Sequence, residues 1–287
     1  PAFIVLPEVA YPQGGAANWS NGFLPAHHQG TPLRPTGSPI LNLNPPQHIS
    51  HDHQRRSLDL LQEFNTSHLA KYPDHDELAA RMANYELAFR MQRSVPELVD
   101  FSDEPRHVLD LYGPEVARRG SYAANCLLAR RLSERGVRFI QLFHRGWDQH
   151  ANLPGDIRQL CRATDQPSAG LLSDLKQRGL LDDTLVIWAG EFGRTPMSEA
   201  RQTAGRNHHI DAFTMWMAGG GIKPGNIVGE TDEFGFGAID QECHVHDLHA
   251  TVLHQLGLDH KRLTFRFQGR DFRLTDVHGR VVHDLLA

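Results

Sequence analysis

Cysteine is scarce in this chain. The three that occur, Cys126, Cys161 and Cys243, are odd in number, far apart and without a CxxC pair. That excludes a disulfide framework and a cysteine-rich zinc site. Long apolar runs are missing too. None approaches the ~20 residues a membrane helix needs, so no membrane span is expected. Pro1 is not followed by a secretory-signal pattern. The chain does not start with Met and is expected to be a processed or truncated piece of something longer. Positive charge is in short supply: 29 Lys and Arg against 34 Asp and Glu leave a net charge of −5. No nucleic-acid partner is therefore expected. Nucleophile signatures are absent as well. There is no GxSxG elbow, no GxGxxG and no P-loop Lys-Ser/Thr.

What the chain has in excess is histidine, with 19 residues, several of them clustered. Its apolar content is that of a globular protein, enough to build a core. Residues 1–50 are broken by Pro and Gly from Pro7 to Pro46 and read as a loop-rich wrapping segment. Residues 51–287 read as one α/β domain. Within it, helical spacing marks residues 52–93 and 114–135, the latter stopped by Gly136. RFIQLF (138–143), TLVIWA (184–189) and FTMWMA (213–218) read as buried strands. Residues 168–178 and 247–256 read as helices, the second with Asp247 as its N-cap. Strands alternating with helices predict a mainly parallel sheet covered on both faces.

Sites in such folds collect at the carboxyl ends of strands. Two strands run straight into metal-ligand residue types. RFIQLF leads to His144-Arg145-Gly146-Trp147-Asp148-Gln149-His150, and TLVIWA leads to Gly190-Glu191-Phe192-Gly193-Arg194. A third segment, Gly205-Arg206-Asn207-His208-His209, precedes FTMWMA. Carboxylates offset a cation's charge and neutral imidazoles give it directional nitrogens. Asp148 and His150 read equally well as a turn and a surface histidine. Glu191, between two glycines after a buried strand, reads as functional. His208 and His209 are adjacent, so on extended backbone they point opposite ways and at most one faces inward. Arg194 and Arg206 suit an oxyanion, or else a salt bridge that orients Glu191 or Asp148. His244, His246, His249 and His254 form either a cluster or simply the surroundings of a helix start, and the structural role fits better. Gly219-Gly220-Gly221 fits a tight turn better than a phosphate cradle.

The segments EFGRTP, GRNHH, FTMWMAGGGIKPGNIVGETDEFG and HVHDLHATVLHQLGLDH carry a more specific resemblance. Through them the chain resembles the C-terminal portion of a bacterial family, domain of unknown function 1501, from Ala17 to Arg270 and beyond. That family is sulfatase-like and resembles the alkaline-phosphatase-like superfamily. The resemblance implies a three-layer α/β/α sandwich, here missing its N-terminal strands. It implies a metal-dependent hydrolase of phosphate or sulfate monoesters, acting on an anionic small-molecule or polysaccharide ester. The metal would be Zn or Mn, with Ca or Mg as further options. By analogy Asp148, His150, Glu191 and His208 would hold it, and Arg194 or Arg206 would hold the substrate oxyanion. His208 is preferred over His209 because it is the His of the family's Gly-Arg-Asp-His, although Asn207 replaces that Asp here. The nucleophile and an early Asp ligand are expected upstream of residue 1. Without them, the alternative is a non-catalytic sulfatase-like module that binds a carbohydrate, an anionic polymer or a protein partner. A phosphoryl-transferring mutase is a third option on the same scaffold. The resemblance also suggests an exported or periplasmic protein.

Overall fold

A computed structural model describes residues 1–72, 76–198 and 202–287. It is a mixed α/β protein whose described strands form small sheets of two or three strands. The chain divides into two compact units. The first comprises Pro1–Arg145 with Gln166–Leu171, and the second Gly146–Asp165 with Leu172–Ala287.

In the first unit the loop-rich residues 1–50 also carry strands, which their Pro and Gly content is read as excluding. Phe3–Pro7 is a strand, β1, and Thr31–Pro32 is a short second one, β2. The run Ile4-Val5-Leu6 is almost fully buried. Its β-branched and apolar side chains suit a strand covered on both faces, and Pro7 closes it. The predicted helix at 52–93 is two helices, α1 (His51–Leu69) and α2 (Asp76–Val99); residues 73–75 of that span lie outside the described residues. Two further helices follow, α3 (Arg106–Tyr112) and α4 (Tyr122–Glu134). The helix predicted from Pro114 starts later, because Ser121 supplies the cap. Its hydroxyl accepts from the Ala124 amide at 2.9 Å and donates to the Glu115 carbonyl at 2.7 Å. Strand β3 (Phe139–Phe143) then pairs with β1 in parallel, from Phe3↔Phe139 to Pro7↔Phe143, giving the order β2-β1-β3.

Helix α4 is buried along its length from Tyr122 to Leu132, with apolar side chains on two faces and its buried Arg130 and Arg131 held in ion pairs. One face (Leu128, Ala129, Leu132) joins Ile4, Leu6, Leu33, Met91 and Val95. The other (Ala123, Cys126, Leu127) joins Val108, Tyr112 and Val116. Burying a side chain such as Leu127 contributes about 1.5–3 kcal/mol. Arg130 is buried in the same helix at 2% side-chain exposure and bridges Glu104 at 2.7 Å and Glu134 at 2.8 Å.

The second unit begins with helix α5 (Leu153–Gln177), which starts well before the predicted residue 168 and contains Pro167. Its middle residues, Gln166–Leu171, cluster with the first unit. Strand β4 (Val186–Trp188) falls inside TLVIWA, β5 is Gly193–Arg194, β6 is His208–His209, and β7 (Trp216–Ala218) falls inside FTMWMA. The expectation of a mainly parallel sheet fails here. β4 pairs with β7 antiparallel, and so does β5 with β6. The turn Gly219-Gly220-Gly221 has positive φ at all three residues. A Cβ on Gly219 would lie 2.4 Å from the carbonyls of Leu181 and Thr184. These glycines therefore serve close backbone packing.

Two short strands follow, β8 (Glu230–Thr231) and β9 (Ala238–Asp240). Helix α6 (Val245–Gln255) is capped by His244 rather than Asp247. The His244 ring accepts from the His246 amide at 3.2 Å, and Asp247 accepts from the His244 amide at 3.1 Å, so both ends of the cap are satisfied. A hairpin of β10 (Thr264–Phe267) and β11 (Arg270–Arg273) ends the regular structure. Its two-residue turn, Gln268-Gly269, has positive φ at both positions, as a type I′ turn requires. No helix among the described residues is long and apolar enough to cross a membrane.

Candidate metal centre

The β5–β6 pairing sets Arg194 opposite His208. The segment after β3 is stapled beside them. The Arg206 amide donates to the Gln149 carbonyl and the Leu153 amide to the Ala204 carbonyl, each at 2.9 Å. Gly146, with φ +100°, makes the bend, and the buried Gln149 side chain donates back to the Gly146 carbonyl at 2.7 Å. Gln149 thus anchors the segment inward while its neighbours Asp148 and His150 project to a shared point.

There, three donor atoms form a near-equilateral triangle. Asp148 Oδ1 lies 3.0 Å from His150 Nε2 and 3.0 Å from His208 Nε2, and the two nitrogens are 3.2 Å apart. Donors around zinc at ~2.0–2.1 Å are separated by about 3.4 Å in a tetrahedron and about 2.9 Å in an octahedron. The observed edges fall between. Two facing imidazole nitrogens can share one proton at most, and a cation relieves that conflict for both rings at once.

Arg194 Nη1 donates to Asp148 Oδ1 at 2.5 Å, and this bond, with that from His208, holds the Asp148 carboxyl below its usual range. The guanidinium also lies 3.6 Å from Glu191 and over the Phe192 ring. Phe192 in turn packs on His208, with ring centroids 4.4 Å apart. Trp147, beside Asp148, meets Trp188 edge-on, and Trp188 stacks parallel to Trp216.

The structure therefore brings Asp148, His150 and His208 together, with Arg194 in contact. Glu191 is not part of the triangle; it is 67% exposed and reaches it only through Arg194. Arg206 donates from Nη1 to the neighbouring Gly205 carbonyl. His209 follows the alternation expected of adjacent strand residues. Its Nε2 is buried and has no hydrogen-bond partner among the described residues.

Gly205, whose contact with His150 the sequence does not show, holds the arrangement. A Cβ on Gly205 would lie 2.0 Å from the His150 carbonyl oxygen and 2.5 Å from the Ala151 nitrogen. Both atoms are backbone and cannot step aside without moving His150. Gly205→Ala is expected to break the triangle, weakening metal retention at least tenfold in a chelator competition. Unchanged retention with unchanged melting would contradict this.

Comparison with known families decides the chain's affiliation. A family described as proteins of unknown function, DUF1501, matches residues 1–286. The chain belongs to the DUF1501 family. No curated protein and no solved structure matches it. The triangle is thus a feature of a DUF1501 protein read from its own geometry.

Other titratable groups were not legible beforehand. In the first unit, Glu8 and His144 directly follow the parallel strands β1 and β3, with Glu8 Oε2 3.9 Å from His144 Nε2. Glu8 also accepts from the Arg145 amide at 3.3 Å. Burial pushes the Glu8 carboxyl up and the His144 imidazole down. Reading residues 1–50 as loop concealed this pair. Cys243, next to His244, is no activated thiol, since burial and Asp247 push it up.

The Glu8 shift has a signed consequence. Its folded value is raised, so the folded chain binds the proton more tightly than the unfolded chain. Ionised Glu8 therefore destabilises the fold as pH rises past the ordinary value of 4.5. Glu8→Gln is expected to raise the midpoint of thermal unfolding near neutrality. The gain should vanish below pH 4.5, where both side chains are neutral. A gain that persists in acid would assign the effect to packing.

Proposed function

We propose that this DUF1501 chain holds a divalent cation on Asp148, His150 and His208 and serves in hydrolysis of phosphate or sulfate monoesters on an alkaline-phosphatase-like α/β/α scaffold. The observation that carries the reading is the donor triangle, one carboxylate and two imidazoles with edges of 3.0–3.2 Å. The donor set fits Zn or Mn better than Ca or Mg, which favour oxygen. When bound, such an ion supplies Lewis-acid polarisation of an ester oxygen and lowers the pKa of a coordinated hydroxyl or water. The chain's own groups supply the rest. Asp148 offsets the ion's charge, the histidines fix its position, and Arg194 offers the guanidinium nearest to an incoming oxyanion. Glu191, next to Arg194, suits an orienting role better than direct ligation. The substrate class that fits is an anionic ester on a small molecule or polysaccharide.

One observation favours a second reading, a non-catalytic sulfatase-like module that binds an anionic polymer, carbohydrate or protein through a structural metal. Arg194 is engaged with Asp148 at 2.5 Å, so its fork is already occupied. Assays of an aryl phosphate and an aryl sulfate, with Zn or Mn restored to chelated protein, separate the two. Turnover lost on chelation and in Asp148→Asn supports hydrolysis. Metal uptake without turnover, in a protein that also carries the expected upstream nucleophile, supports the binding module, and failure to take up either metal sinks both.

A further inference from the structure

The strongest feature outside the triangle is an open cavity of about 730 Å³ in the second unit. It lies between the start of α6, the residue Lys261, the end of β11 and the loop at 277–280. Its cationic lining is Lys261, Arg273 and Arg280, with the imidazoles of His244, His246 and His278. The rings pack on one another, His246 against His244 at 4.9 Å and against His278 at 5.4 Å.

The cavity has one carboxylate, Asp247, and it is already used. Its Oδ1 accepts from the Arg280 amide at 2.7 Å, its Oδ2 accepts from the His244 amide at 3.1 Å, and the Arg280 guanidinium lies 3.5 Å from Oδ2. Lys261 and Arg273 make no ion pair among the described residues. Lys261 and Arg273 thus line a concave space whose one carboxylate is engaged elsewhere, and the imidazoles beside them add hydrogen-bonding nitrogens. A cleft lined by one sign of charge focuses its field and concentrates ions of the opposite sign. Backbone geometry holds the wall in place. Gly279 has φ +94°, and a Cβ there would lie 2.9 Å from the His246 carbonyl.

We propose that this cavity binds a tetrahedral oxyanion, the phosphate or sulfate group of a larger ligand, with Lys261 and Arg273 as its principal contacts. A guanidinium gives such a group a bidentate fork and an ammonium gives it a point charge. The volume leaves room for more than the anion alone. The residues are separate from the Asp148 triangle, so the inference stands whether or not that site holds metal.

Calorimetric titration with inorganic phosphate, inorganic sulfate and tripolyphosphate tests it. Binding that weakens with added salt is expected, together with at least a tenfold loss in Lys261→Ala/Arg273→Ala. Lys261→Arg should retain it, and so should His150→Ala/His208→Ala, which distinguishes the cavity from the metal centre. The ratio of phosphate to sulfate affinity identifies which ester is carried. Lys261 is exposed, so Lys261→Glu alone provides a folded test if the double variant melts early. Equal affinity in wild type and the charge variants would overturn the proposal. So would an absence of binding by all three anions at millimolar concentration, or complete loss in the histidine variant.

Discussion

His150→Ala/His208→Ala is expected to lower the affinity for Zn by at least a hundredfold in a competition with a coloured chelator. Two of three donors are removed, leaving a single carboxylate whose Oδ1 already accepts from Arg194 at 2.5 Å. Even loss of a supporting partner outside the ligand set typically costs 10–100-fold, and losing two ligands costs more. Both side chains are partly solvent-exposed, at 32% and 50%. Truncation therefore opens no sealed cavity, and the fold should stay intact by circular dichroism. Each single variant should fall between the double variant and wild type. If the double variant retains zinc as tightly as wild type, the triangle is not where the metal resides.

The second large effect is on stability. Arg130→Ala strands the Glu104 carboxylate, 8% exposed, in the interior of the first unit. Breaking a buried pair in this way costs ~3–5 kcal/mol. At roughly 2–4 °C per kcal/mol for a domain of this size, the unfolding midpoint should drop by about 10 °C. Arg131 lies 3.6 Å from the same carboxylate and offsets part of the loss. Pairing Arg130→Met with Glu104→Leu should recover part of it, because an apolar pair of similar volume removes the stranded carboxylate, while Arg131, 11% exposed, loses its contact with Glu104. A double variant no better than the single would mean that Arg130 stabilises by shape and not by charge.

Particular residues show how far sequence reasoning reached. The segments that hold Asp148, His150 and His208 stood out as rich in ligand-type side chains near apolar strands, but the residues alone left Asp148 and His150 open to a turn reading and His208 level with His209; the choice of set came from the family resemblance. The spans of β3, β4 and β7 were legible from their apolar runs. Their direction was not, since a run such as Val186-Ile187-Trp188 reads the same in either orientation; β4 lies antiparallel to β7. Strand β1 was hidden by the Pro and Gly residues that follow it, although Ile4 and Val5 carried the signal. Asp247 looked like a cap because aspartate favours that position. His244 took it, and Asp247 became the reciprocal acceptor three residues on. Arg194's bond to Asp148 spans 46 residues, and the approach of Gly205 to His150 spans a similar gap. Such long-range contacts leave no periodic trace.

The position of Cys126 between the packed faces of α4, α3 and the residues after it makes this thiol a clock. Burial pushes its pKa up to about 12, so at neutral pH it is almost never a thiolate, and the thiolate is the form that alkylates. Cys243, by contrast, is exposed. A maleimide added to the folded protein would therefore react at the exposed Cys243 and the half-buried Cys161, and leave Cys126 untouched until the first unit opens. The rate at which Cys126 becomes labelled would then report the lifetime of that unit's folded state, with no cysteine introduced by mutation.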